Sequence, residues 1–387
     1  MNNMAQSPEK LLAYLVAGLV QASNNDFRYP YPLLWQQSLN MLTAFQIKYG
    51  YPTPTTITRV IELLEQPLAE WWPGTPPETI SPELMPVTTL MFGGQPDEWV
   101  YEFLETQNLD GVVDTSYFQD EINQAGIRQI LDLYRPEAET LGYAYVAVRR
   151  FLIENPVTTL AQIQQRLGAL PLLRNKTVAE FYEPEEDFFD RAYYQKQFWR
   201  CPHCRNILNW VDGAPRCARH SICGRLTAGY QARTPVAPTG NWLRLKRSVA
   251  QRVCVPGLPE VRLYDWACKL QEKDAGLLDV SLWPGVDRYD LRLVFSDNSA
   301  WAIDVKDYAD PTNLARQVSG KSFYNLEPFR WDEGYYVFPR HRLEWNRSYV
   351  ELFNRAANLP GPIIGLGEDE FRQQVQRKLS TLSEREA

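Results

Sequence analysis

The chain has 387 residues, 44% hydrophobic and 13% aromatic, enough to bury the cores of two or three globular domains. Its formal charge of −7 is unevenly divided. Residues 1–190 carry 11 Lys and Arg against 25 Asp and Glu, which leaves 29 against 22 for residues 191–387. The composition excludes a disordered chain, and the charge asymmetry assigns a polyanionic partner to the C-terminal half and not to the N-terminal half.

The first apolar run, "LLAYLVAGLV" (Leu11–Val20), falls far short of the roughly 20 residues of a membrane span. Ser7 as N-cap, Pro8 in the first turn and Glu9 beside it make it an ordinary capped helix rather than a signal peptide. No membrane association and a cytoplasmic location are therefore expected. Apolar residues at three- and four-residue spacings predict further helices in "TPTTITRVIELLEQPLAEWW" (53–72) and "FQDEINQAGIRQILDLY" (118–134), separated by proline-rich turns. The acidic run Glu183–Asp190 reads as a solvated linker closing an all-helical region, 1–190, that contacts protein rather than nucleic acid.

The composition then inverts. Between Arg191 and Pro259 stand twelve basic residues and one acid, Asp212, interleaved with Tyr193, Tyr194, Phe198, Trp199, Trp210, Tyr230 and Trp242. Cations that meet phosphates, beside rings that can stack on bases, suit a nucleic-acid surface; the same rings can equally pack around a metal. All six cysteines lie beyond residue 200, a clustering that favours metal ligation over disulfides. "CPHC" sets Cys201 and Cys204 on a knuckle, and "CARHSIC" supplies Cys217 and Cys223, with His220 as the alternative fourth ligand. Four such ligands complete a tetrahedral Zn²⁺ shell and leave no open position, so this zinc is expected to be structural. Residues 191–235 form the expected zinc-binding module, with Cys254 and Cys268 as core residues.

From residue 236 onward the pattern is α-β-β-β-α-β. A helix over "LPEVRLYDWACKLQEK" precedes strands in "GLLDVSLWPGV", "RYDLRLVF" and "AWAIDVKD", and "NLARQVSGKSFY" is a helix before a strand in "GYYVFPRHRL". In the third strand Asp304 and Lys306 share one face while Ile303 and Val305 point into the core. The turn "FSDNSA" folds the second and third strands into a hairpin, which brings Asp290 beside Asp304. Two neighbouring carboxylates repel unless a cation bridges them, and hard oxygen ligands suit Mg²⁺. Lys306 would orient water or stabilise developing charge, and Glu260 on the preceding helix offers a third carboxylate. The chemistry indicated is phosphodiester hydrolysis.

These residues resemble the PD-(D/E)xK restriction-endonuclease superfamily, with Tyr289-Asp290 for its first half-motif and Asp304-Val305-Lys306 for its second. The wider pattern, "CPHC" ahead of "VPGLPEVRLYDWA", "LWPGVDRYDLRLVF" and "WAIDVKDYADP", is similar to the restriction-endonuclease-related proteins of the pPIWI-RE three-gene islands. The resemblance implies an α+β multidomain fold: helical N-terminal region, small zinc-ribbon-like module, and a restriction-endonuclease-like αβββαβ domain over 236–387 with C-terminal helices. It also implies Asp290 and Asp304 as magnesium ligands, Lys306 as catalytic lysine, Glu260 as helix-borne acid, and a defence role on DNA beside a PIWI-like protein and a DinG-type helicase. Tyr289 departs from the proline of the superfamily motif. Two other readings remain at this stage: an inactive zinc-containing nucleic-acid-binding adaptor, and the endonuclease subunit of a transposition system.

Overall fold

The computed structural model describes residues 7–24, 27–106, 131–171, 178–211 and 213–386. Its contacts divide the chain into two compact units: residues 1–123 with 220–222 and 308–313, and residues 124–219 with 223–307 and 314–387. No helix among the described residues is long and apolar enough to cross a membrane.

Among its described residues the regular structure of the first unit is helical apart from a short hairpin, Met91–Phe92 with Gln95–Pro96. Its first helix, Pro8–Asn24, is capped as expected, the Ser7 hydroxyl accepting the Lys10 N–H at 3.1 Å. It crosses Leu33–Tyr49 closely, because a Cβ on Gly18 would lie 2.8 Å from Ser38 Oγ. The stretch 53–72 becomes two helices, Ile57–Leu64 behind the N-cap Thr56 and Leu68–Trp71, since Pro67 cannot donate a helical N–H. The helix expected over 118–134 lies outside the described residues except for its last turn. Segment 308–313 belongs to this unit: the carboxylate of Glu102, on Glu98–Thr106, accepts the Ala309 N–H at 2.8 Å.

The second unit holds helix α1 (Ala138–Glu154) and a three-stranded antiparallel sheet in which Leu243–Leu245 lies between Val157–Thr158 and Tyr182–Pro184. Glu183–Asp190 is no solvated linker: it supplies the end of that sheet's edge strand and most of the helix Glu185–Ala192. Three acids occupy that helix's first turn, where the dipole favours them. Glu183 accepts from Arg244 at 2.7 Å, and Glu185, 4% exposed, accepts the N–H groups of Thr239 and Trp242. Local partners outweighed the like-charge repulsion on which the linker reading rested.

Helix α2 (Val255–Gln271) leads into a mixed five-stranded sheet in the order β1-β2-β3-β4-β5: Leu277–Leu282, Leu291–Phe295, Ala300–Val305, Glu333–Phe338 and Ile363–Gly367. β1, β2 and β3 form an antiparallel meander, and β4 and β5 add in parallel. Between β3 and β4 lies helix α3 (Pro311–Val318), shorter than expected. β5 was not anticipated, although the apolar "PIIGL" after a Pro-Gly break carried its signal. On one face Trp301 of β3 packs against Phe295, Tyr335 and Phe371, the last from helix α4 (Glu368–Glu386). Phe371, Val375, Leu379 and Leu382, spaced to share one helical face, are all buried. The chain is thus α+β, with a helical N-terminus and a mixed C-terminal sheet.

Candidate metal centres and nuclease site

Cys201, Cys204, Cys217 and Cys223 are buried with their sulfurs all within 4.8 Å of one another. Local backbone explains the convergence. Cys201 donates its N–H to Asn206 O and accepts that of Arg205, closing a knuckle that requires Arg205 to adopt φ 63°. Cys217 follows the hairpin Asn209–Val211 with Ala214–Arg216, and Cys223 projects from the helix His220–Leu226. The Tyr230 hydroxyl accepts the Cys217 N–H at 3.2 Å. Hydrogen bonds from the other three thiols hold Cys201 well below the usual thiol range, while the same sharing pushes Cys217 and Cys223 up. Four cysteine sulfurs drawn to one centre are a donor set suited to a soft tetrahedral metal such as zinc. His220 is not a member of the group; its ring lies beside Phe92, centroids 5.6 Å apart.

The aromatics of this module pair internally with its cations. Tyr194 stacks on Trp210 at 3.7 Å, and the Arg233 guanidinium sits 4.8 Å from Trp199 and 5.6 Å from Trp210. Lys196, Arg205 and Lys246 are exposed.

In the sheet, the paired register begins at Leu291↔Ile303, and Asp290, the residue just before it, lies at the same end of the β2–β3 hairpin as Asp304, close enough for the two carboxylates to interact. Asp290 donates its N–H to Ile303 O at 2.9 Å and accepts the Val305 N–H on Oδ2 at 2.6 Å. Lys306 Nζ lies 2.8 Å from Asp304 Oδ1. Among the described residues, Asp290 Oδ1 and Asp304 Oδ2 accept no hydrogen bond, so each carboxylate keeps one oxygen for a ligand. Burial raises the Asp290 carboxyl well above the usual range, and Glu260 and Asp304 raise it further. Relief of that electrostatic load by a cation is the physical case for a metal here.

Glu260 stands differently. It projects from α2, 5% exposed, and both its oxygens accept from Arg149 Nη2, at 3.1 and 2.8 Å, while Oε2 also accepts the Trp283 indole N–H at 2.6 Å. Burial pushes its carboxyl up to about 7, with Arg149 opposing and Asp287 adding to the rise. Glu260, Asp290 and Asp304 do not converge to the ligand spacing that the four cysteines reach.

Arg149 was not singled out in the sequence, although its signal was present: in α1 it lies one turn from Tyr145 and next to Val148, on the face that buries Leu152 and Ile153. A cation on an apolar stripe requires a buried partner. Asp287 pairs with the same guanidinium. Asp307, one residue beyond Lys306, faces away into a buried group with Arg342 Nε at 2.6 Å and His341 Nε2 at 2.8 Å.

Two family models match the chain. One, described as "REase associating with pPIWI_RE", covers residues 257–383; the other, "pPIWI_RE three-gene island domain Y", covers residues 11–159. No curated protein and no solved structure matches the chain.

Proposed function

Because the chain belongs to the pPIWI-RE three-gene island family and carries a restriction-endonuclease-like domain, we propose that it is a Mg²⁺-dependent endonuclease that hydrolyses DNA phosphodiester bonds. The observation that carries this reading is the closeness of the Asp290 and Asp304 carboxylates at one end of the β2–β3 hairpin, with the Lys306 ammonium 2.8 Å from Asp304. Asp290 and Asp304 would hold the ion through their uncommitted oxygens, a number of protein ligands that suits Mg²⁺, which keeps several waters. When bound, such an ion acidifies water and offsets charge building on a phosphate.

The other steps belong to the chain. Lys306 presents a cation where the pentavalent phosphate gains charge and donates hydrogen bonds that orient the attacking water. Val305 N–H fixes the Asp290 carboxylate, so the ligand geometry is set by the sheet before substrate arrives. The exposed cations Lys196, Arg205 and Lys246 contact the DNA backbone. In this reading residues 191–235 form a zinc-stapled DNA-binding module and residues 236–387 the PD-(D/E)xK-type nuclease. Residues 1–190 meet protein partners of the island, a PIWI-like protein and a DinG-type helicase, in cytoplasmic defence.

The test is supercoiled plasmid with Mg²⁺, incubated with the wild-type chain and with Asp304→Ala and Lys306→Ala. Cleavage by the wild type alone supports nuclease activity. Plasmid bound but left intact by all three, with the island's partners present, would instead mark a DNA-binding adaptor.

A further inference from the structure

Arg149 is the most elaborately held side chain near the nuclease site, and it comes from outside the segment that matches the endonuclease-associated model. Its guanidinium is buried. Nη2 serves both oxygens of Glu260, Nη1 binds Asp287 and the Tyr145 hydroxyl, and the group lies 4.3 Å from the Trp283 ring centroid.

Two backbone features bring this about. α1 approaches α2 closely because Gly257 has no side chain: a Cβ there would fall 2.4 Å from Ile153 Cδ1. One turn from that contact on each helix, Arg149 meets Glu260. The loop between β1 and β2 also holds Trp283, Val286 and Asp287 at φ 46°, 60° and 64°, left-handed values that cost a non-glycine residue about 1–2 kcal/mol each. That conformation directs the Trp283 indole N–H at Glu260 and the Asp287 carboxylate at Arg149, and strain of this kind concentrates at functional sites.

We propose that Arg149 occupies the role of a second metal ion: it neutralises Glu260 and Asp287, so that the site takes one divalent cation, on Asp290 and Asp304, and not two. The inference rests on the nuclease reading above. It follows from geometry and from charge. Glu260 has both oxygens engaged by a fixed buried cation and does not converge with Asp290 and Asp304. The interacting groups are the acids Glu260, Asp287, Asp290 and Asp304 and the cations Arg149 and Lys306. Withdrawing Arg149 to admit a second ion would break a buried ion pair with Glu260 and a part-buried one with Asp287. Arg149 is thus a positioning residue, and the endonuclease-associated segment 257–383 is electrostatically incomplete without α1.

The test is Mn²⁺ stoichiometry in the zinc-loaded full chain, by calorimetric titration with electron paramagnetic resonance of free Mn²⁺, which needs no catalytic turnover. The wild type is expected to bind one ion, lost in Asp304→Ala. Arg149→Met is expected to bind two, Arg149→Lys one. Glu260→Gln should keep one ion with affinity changed less than about threefold, against the losses on the order of tenfold or more that follow removal of groups a metal depends on. Two ions on the wild type, one on folded Arg149→Met, or loss of the ion in Glu260→Gln would each overturn the proposal. If Arg149→Met does not fold, Glu260→Gln and the wild-type stoichiometry decide. An ion that survives Asp304→Ala would overturn the nuclease-site reading itself.

Discussion

Two acids three residues apart meet opposite fates in this chain. Asp304 keeps an oxygen for a ligand, whereas Asp307 is closed in by Arg342 and His341. Although burial alone would raise the Asp307 carboxyl, Arg342 and then His341 hold it well below the usual carboxylate range. Its contribution to stability is therefore present above the ordinary Asp value of about 3.9 and is lost as pH falls below that value. Asp307→Asn, which strands a buried guanidinium, is expected to cost about 3–5 kcal/mol at neutral pH. Thermal melts of the two proteins should differ most at pH 6–7 and converge below about pH 4; a constant gap would contradict the assignment. Strand alternation turns Asp307 away from Asp304, which local pattern alone shows. Its partners on the segment after β4 could not be read, since neither pairing is local.

Among the elements, the β2–β3 hairpin was legible because "FSDNSA" between two alternating strands fixes a register, and the register brings Asp290 and Asp304 to the same end of the hairpin. The α1–α2 contact was not, because Gly257 and Ile153 stand far apart in sequence and a helix-to-helix approach leaves no periodic trace. Gly257→Val should overpack that contact at a cost of about 1–3 kcal/mol and separate Arg149 from Glu260. Denaturant unfolding would measure the first effect, and the Mn²⁺ titration the second. Behind the site, Trp301→Ala should cost about 3–5 kcal/mol, because Trp301 fills the space between β2, β4 and α4. The cysteine spacing was equally legible, and it carries an expectation about zinc. Removing the metal with a strong chelator should abolish hydrogen-exchange protection over 198–236 while the five-stranded sheet keeps its own. Simultaneous loss in both would mean that the sheet depends on the metal.

For the whole molecule, the charge asymmetry of the halves predicts where nucleic acid binds. Reversing Lys196, Arg205 and Lys246 to Glu should weaken DNA binding at least about tenfold irrespective of sequence and flatten its salt dependence, as read by fluorescence anisotropy across a salt series. An unchanged slope would remove this surface from the account. The order of segments along the chain was readable, but not how far they interleave in space. Residues 220–222, lying between two of the cysteines, and residues 308–313, just after the Asp304–Lys306 strand, are built into the N-terminal unit. Such long-range contacts are invisible to local pattern. The central claim, that Asp290 and Asp304 together hold a catalytic cation, is tested most directly by the anomalous signal of Mn²⁺ in crystals of the full chain. The account predicts a single peak bridging Asp290 and Asp304, with Glu260 still bound to Arg149; no peak at that pair, or one on Glu260, would contradict it.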